Sequence, residues 1–238
     1  MKKEKITVRQ RISGVLLGVA IALLMLVLTS TATITSGDFW LRQNEKNNHS
    51  AFLNLASNDD YNHLYHHYIE LLEGKVGPDK SETVTVKGEN GNFEKDILTF
   101  NERIQLNKAS AIIKTETLVV SLLVVLAIVL MVLTVKKQKR GALLGIGFYL
   151  IISAILFALI INLLVKIVPS SWGFNLLFNF EEGSVSDTLM GPKFMNDFAL
   201  GFVRLFDFSM IVPLFIGYIL TKFSRKNDKD ENEDYLYQ

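Results

Sequence analysis

Three long stretches of this chain carry no charged residue: Ile12–Gly37, Thr117–Val135 and Gly141–Val165. A fourth, Phe194–Thr221, is interrupted only by Asp197, Arg204 and Asp207. A helix crosses the roughly 30 Å of bilayer hydrocarbon with about 20 mostly apolar residues. Four such segments within 238 residues point to one compact polytopic unit rather than several soluble domains. The expected fold class is an all-α membrane protein, a four-transmembrane-helix bundle with a small extracytoplasmic α+β segment.

The formal net charge of +1 conceals a strong asymmetry. Lys2, Lys3, Lys5, Arg9 and Arg11 precede the first apolar stretch, and Lys136, Lys137, Lys139 and Arg140 separate the second from the third. Lys222, Arg225, Lys226 and Lys229 follow the fourth. Lysine and arginine accumulate on the cytoplasmic side, and all three clusters fit one orientation with both termini inside. The expected order is a cytoplasmic N-terminus 1–12, a span 13–35, an extracytoplasmic segment 36–116, a span 117–135 and a cytoplasmic loop 136–141. A span 142–166, an extracytoplasmic aromatic and acidic loop 167–197, a span 198–221 and a cytoplasmic tail 222–238 complete it. The basic start and small residues Thr31–Thr33 also resemble a signal peptide, but the apolar run is long enough to anchor uncleaved. The absence of cysteine excludes disulfides and thiol catalysis.

Gly14 and Gly18 form a small-xxx-small pair, which either permits close helix packing or reflects the general frequency of glycine in membrane helices. Trp40, just past the first span, reads as an interfacial indole. In the segment that follows, Phe52, Leu55, Leu64, Tyr68, Ile69, Leu71 and Leu72 recur at helical spacing up to Gly74. Thr83–Lys87 alternates like a strand, Gly88, Asn90 and Gly91 suit a turn, and Phe93–Phe100 suits a return strand. Thr99 and Glu102 have capping-box spacing, so a helix starting there is expected to run on into the second span.

Few residues carry chemistry. His63, His66 and His67 are spaced i, i+3, i+4, a pattern that either offers zinc two imidazoles one turn apart or is a wetted polar helix face. Arg204 and Asp207 are oppositely charged and one turn apart inside an apolar stretch, which suggests either a functional pair or a structural one near the span end. Glu181, Glu182, Asp187 and Asp197 can serve acid–base chemistry or simply solvate a loop. No nucleotide-binding motif is present. The expected partners are membrane lipids or an extracytoplasmic peptide, with no cofactor and no nucleic acid.

Three local motifs stand in the same order as those of a known family. Phe100-Asn101-Glu102-Arg103 is similar to a Phe-Ser-Glu-Arg-Glu start. Phe174-Asn175-Leu176-Leu177-Phe178 is similar to Phe-His-x-x-Phe-Phe, and Asp187-Thr188-Leu189-Met190 with Pro192, Phe194 and Asp197 to Asp-Thr-Leu-Ile…Pro-x-x-Phe-Phe-x-Asp. With the four spans and the large segment after the first, these make the chain resemble the lipoprotein intramolecular transacylases, known as Lit, of Gram-positive bacteria. The resemblance implies an envelope protein that acts on lipoprotein acyl chains, with a lipid-facing pocket among Asn107, Asn175 and span four. The family's two histidine positions fall on Asn107 and Asn175, and its aspartate on Ser110. An amide holds geometry but does not exchange a proton near neutral pH. The resemblance thus implies a divergent or catalytically silent relative. The alternative is a non-enzymatic accessory, immunity or sensor protein whose extracytoplasmic segment binds a peptide or ion.

Overall fold

The computed structural model describes residues 6–138, 142–169, 178 and 180–234. The elements are α1 (Val8–Ile34), α2 (Gly37–Asn47), α3 (His49–Phe52), α4 (Asn58–Glu73), β1 (Thr83–Gly88), β2 (Gly91–Asp96), α5 (Phe100–Gln138), α6 (Ala142–Ile167), α7 (Val185–Leu189), α8 (Pro192–Ser209) and α9 (Ile211–Asp234). Among the described residues, four segments are long and apolar enough to cross a membrane: Val8–Ile34, Phe100–Lys136, Ala142–Ile167 and Lys193–Ser224. The chain is an all-α membrane protein with, among the described residues, one small two-stranded sheet. Two compact units divide it. The first comprises the chain up to Thr29, Glu116–Leu164 and the part from Val203 onward; the second comprises Ser30–Thr115 and Val165–Phe202.

In the first unit, α1 begins with a capping box, because Thr7 N donates to Gln10 Oε1 (3.0 Å) while Gln10 N donates to Thr7 Oγ1 (3.4 Å). Gly14 and Gly18 lie where α1 crosses α6. A methyl group on Gly18 would come within 2.8 Å of the Leu150 carbonyl, so the close crossing requires glycine there. Gly147 of α6 meets Gly217 of α9 in the same way, with 2.6 Å between a Gly147 methyl and the Gly217 carbonyl. The fourth apolar segment is not one helix. Pro213 has no amide proton to bond the Ser209 carbonyl and its ring crowds that group, so the chain turns at Met210 before α9 begins.

The second unit has an aromatic core. Trp40, Tyr61 and Tyr68 are wholly buried and Phe194 nearly so. The Trp40 ring lies 5.5 Å from that of Tyr68 and 5.1 Å from that of Phe194. Trp40 is therefore a core residue and not the interfacial indole its position suggests. Its Nε1 donates to the Ile34 carbonyl at 2.8 Å, which satisfies one of the open carbonyls at the end of α1. Helix α4 starts at a Ser57/Asp60 capping box and stops at Gly74, whose φ of 62° favours glycine. Asp60 Oδ1 also accepts from Thr85 N (2.8 Å), which ties the hairpin to the start of α4. Strands β1 and β2 pair antiparallel from Thr83↔Asp96 to Gly88↔Gly91. Only β1 contributes to the core, through Val84 and the half-buried Val86. The return strand ends at Asp96, because Thr99 is already capping α5.

Helix α5 spans 39 residues, about 58 Å at 1.5 Å per residue, nearly twice the hydrocarbon thickness. Its first four turns belong to the second unit, where Leu106 and Ala109 are fully buried, and the rest belongs to the first.

Candidate functional site

The start of α5 is where the second unit concentrates its buried polar groups. Thr99 N and Oγ1 donate to Glu102 Oε2 at 2.7 and 2.8 Å, and Glu102 N donates back to Thr99 Oγ1 at 3.3 Å. The other carboxylate oxygen, Oε1, accepts from Ser186 N at 2.8 Å. Ser186 is buried in α7, and its hydroxyl accepts from the Tyr68 hydroxyl. Burial raises the Tyr68 pKa well above its ordinary value, so this phenol stays protonated and donates. The Glu102 carboxylate thus ties α5 to α7, and Ser186 ties α7 to α4.

Arg103 forms the second half of the cluster. It is 7% exposed, and its guanidinium donates to Asp96 Oδ2 (2.6 Å), the Leu98 carbonyl (2.7 Å) and the Pro78 carbonyl (2.8 Å). A planar fork with several donors suits a site that must satisfy two carbonyls and a carboxylate together. Glu102 and Arg103, the pair that carries the first motif, are therefore committed to holding the segment before α5 in place. A cleft of about 220 Å³ opens beside them between Asn101, Gln105 and the loop Glu181–Ser184.

Asn107 and Ser110 follow Arg103 at i+4 and i+7, on the same stripe of α5. Asn107 is half-buried and its Nδ2 donates to the Val76 carbonyl at 3.4 Å. Ser110 is 2% exposed, and its hydroxyl has no partner among the described residues. Lys114, one turn on, reaches the Gly74 carbonyl at 3.5 Å. Asn175, Phe174 and Trp172 lie outside the described residues; of the second motif Phe178 is described, buried and with its ring stacked 5.4 Å from that of Phe180. In the third motif, Leu189, Met190 and Phe194 are buried, and Asp197 accepts from Lys46 Nζ (2.7 and 2.8 Å) and Gln43 Nε2 (3.1 Å).

Arg204 and Asp207 belong to the first unit and both are exposed there. No ion pair joins them among the described residues. Asp207 Oδ1 instead accepts from Asn162 Nδ2 of α6 at 2.8 Å.

The histidines are dispersed by burial. His63 is exposed, with Nδ1 4.0 Å from Glu82 Oε1, and His66 lies with its ring 4.4 Å from that of Tyr65. His67 is 3% exposed, with neither ring nitrogen hydrogen-bonded among the described residues, and burial holds its pKa below the ordinary value. Among the described residues, no group of three or more His, Cys, Asp or Glu side chains is placed to hold a metal ion. The residues that sequence reasoning missed are Ser186, Tyr68, Lys46 and Gln43. Each bonds a partner more than 80 residues away, a distance at which spacing carries no signal.

No family model matches the chain. No curated protein sequence matches it either. Solved structures do match. Three in meso structures of the membrane integral lipoprotein intramolecular transacylase Lit from Bacillus cereus share its architecture. One, a histidine-to-arginine variant, has a TM-score of 0.58 at 17% identity over 92% of this chain and 94% of that one. A second has a TM-score of 0.56 at 15% identity over 92% and 97%. A histidine-to-alanine variant has a TM-score of 0.52 at 16% identity over 94% and 96%. The chain has the fold of these Lit structures, and the resemblance carried by its motifs extends to nearly its whole length.

Proposed function

We propose that this protein is a Lit-type protein of the cell envelope that engages acyl-bearing lipid or lipoprotein ends without conventional acyl transfer. The observation that carries this reading is the setting of Asn107 and Ser110. Moving an acyl chain off an ester oxygen needs a base to activate the group that receives it, such as a hydroxyl or an amine, and an acid to protonate the oxygen that leaves. On this stripe of α5 the hydroxyl is Ser110 Oγ, buried and without a base among the described residues. The residue one turn before it offers only an amide, held by the Val76 carbonyl. The shared fold supports the placement among lipoprotein-directed membrane proteins. The basic clusters support both termini on the cytoplasmic side. In this cysteine-free chain, an impermeant thiol reagent applied to intact cells should label Ser81→Cys and spare Ser224→Cys.

Lipoproteins carrying a photoreactive acyl chain test the function in cells. They should crosslink to this protein, while mass spectrometry of lipoprotein N-terminal peptides finds the same acyl pattern with and without the gene. A lyso-form present only with the gene would overturn the silent reading.

A second reading has an observation of its own. A cleft of about 370 Å³ in the second unit is lined by Asn47, His49, Phe52 and Lys193 over a floor of Leu189 and Phe194. Phe52 is 69% exposed. A non-enzymatic accessory, immunity or sensor protein would use such a cleft to hold a peptide bearing an apolar side chain and a carboxylate. Unchanged lipoproteins, no acyl crosslink and altered sensitivity to an external peptide would favour it.

A further inference from the structure

The first unit holds a groove that the reading above does not use. It runs between α1 and α5. Its mouth, about 620 Å³, lies between Arg9 at the start of α1 and Lys136 near the end of α5. It continues into a wholly apolar cleft of about 110 Å³, and the two share Leu16 and Leu130. Small side chains make the floor: Ser13 is 3% exposed, Ala20 6% and Ala127 4%. Leucines at helical spacing, Leu16 and Leu23 on α1 and Leu126 and Leu133 on α5, stand at its rims. From Arg9 to Leu23 the groove extends fourteen residues, about 21 Å at 1.5 Å per residue, more than the roughly 15 Å of one leaflet.

Two features define what fits. The long walls are apolar, while the mouth presents two cations, neither in an ion pair among the described residues. A phosphodiester between the cations supplies the missing charge where it is needed. We propose that this groove is a binding site for one anionic phospholipid. An acyl chain lies along Ala20 and Ala127 and the phosphate sits between Arg9 and Lys136. Basic pockets at the ends of membrane helices are suited to anionic headgroups in this way.

Native mass spectrometry of the purified full-length protein, titrated with phosphatidylglycerol and with phosphatidylcholine of the same chains, tests the site. Phosphatidylglycerol should be retained preferentially. Removing one mouth cation should weaken that preference about fivefold, and Arg9→Gln with Lys136→Gln about twenty-five-fold. Arg11 and Lys222 provide the control. They are exposed cations as well but lie over the Tyr149 and Tyr218 rings, 5.7 and 5.9 Å from the centroids. Arg11→Gln with Lys222→Gln should leave the preference within about twofold of the parent, since those cations do not line the groove. All four substitutions lie on the surface and leave the helix packing intact. Equal retention of the two lipids would overturn the proposal. So would an equal loss in the Arg11/Lys222 variant, which would mean diffuse surface charge. A dimer that Ala127→Leu breaks would overturn it too, because the occupant would then be a second copy of the chain.

Discussion

Glu102 offers a test of what holds the second unit together, because glutamine matches its shape. Its carboxylate is 3% exposed and accepts three hydrogen bonds, two from Thr99 and one from Ser186 N. Glutamine has a single acceptor oxygen. If that oxygen stays with Thr99, the new amide nitrogen faces the Ser186 N–H; if it turns, it faces the Thr99 donors. In the milder case one buried donor is orphaned, at about 1–3 kcal/mol, and the two remaining bonds lose the help of the charge, at about 1 kcal/mol more. Glu102→Gln should therefore cost about 2–4 kcal/mol. In a chain of this size that lowers Tm by roughly 4–16 °C. The assay is thermal unfolding of the detergent-solubilised protein, followed by tryptophan fluorescence in a Trp172→Phe background. That leaves Trp40, buried in the same unit, as the reporter. Asn101→Ala is the control: one residue away and exposed, it gives up only a 3.2 Å bond to Glu181 and should cost about 0.5 kcal/mol or less. If Glu102→Gln melts with Asn101→Ala, the carboxylate does not hold α7 against α5.

Other consequences are open to the same assay. Gly18→Leu forces α1 away from the Leu150 carbonyl and should cost about 3 kcal/mol or more, whereas Gly77→Leu, with open space around it, should cost well under 1 kcal/mol. In double-mutant cycles, Asp207→Ala should couple to Asn162→Ala by about 0.5–1.5 kcal/mol and to Arg204→Ala by about zero; the reverse order would contradict the Asn162 contact. Burial lowers the folded-state pKa of His49 and His67, so the unfolded chain takes up protons first as pH falls. Their contribution is complete above pH 6.5 or so and lost below it, and Tm should drop between about pH 7 and pH 5 less steeply in His49→Gln/His67→Gln than in the parent.

What the sequence disclosed is what local chemistry dictates. The apolar runs announced the four segments long and apolar enough to cross a membrane, and the Thr99–Glu102 spacing announced a helix start that the reciprocal hydrogen bonds realise. Gly74 marked the end of α4, and Gly88 to Gly91 marked the hairpin turn. The misreadings share a cause, which is a partner remote in sequence. Trp40 sits where a membrane-interface indole belongs, yet α2 presents it to Tyr68 and Phe194. Arg204 and Asp207 have the spacing of a pair, but α6 supplies Asn162 to the carboxylate first. Glu102 was legible as a cap but not as a link to α7, because nothing near it in sequence reports Ser186.

On the function proposed above, the chain keeps the Lit fold without the proton transfer that acyl migration needs. Purified protein reconstituted with a synthetic diacylated lipopeptide measures this directly, with the acyl position on the product read by mass spectrometry. The parent should return the lipopeptide unchanged, and Asn107→His/Asn175→His should yield a detectable lyso-form if the two positions share a site. Turnover by the parent itself, at a rate the double histidine variant does not exceed, would contradict the account.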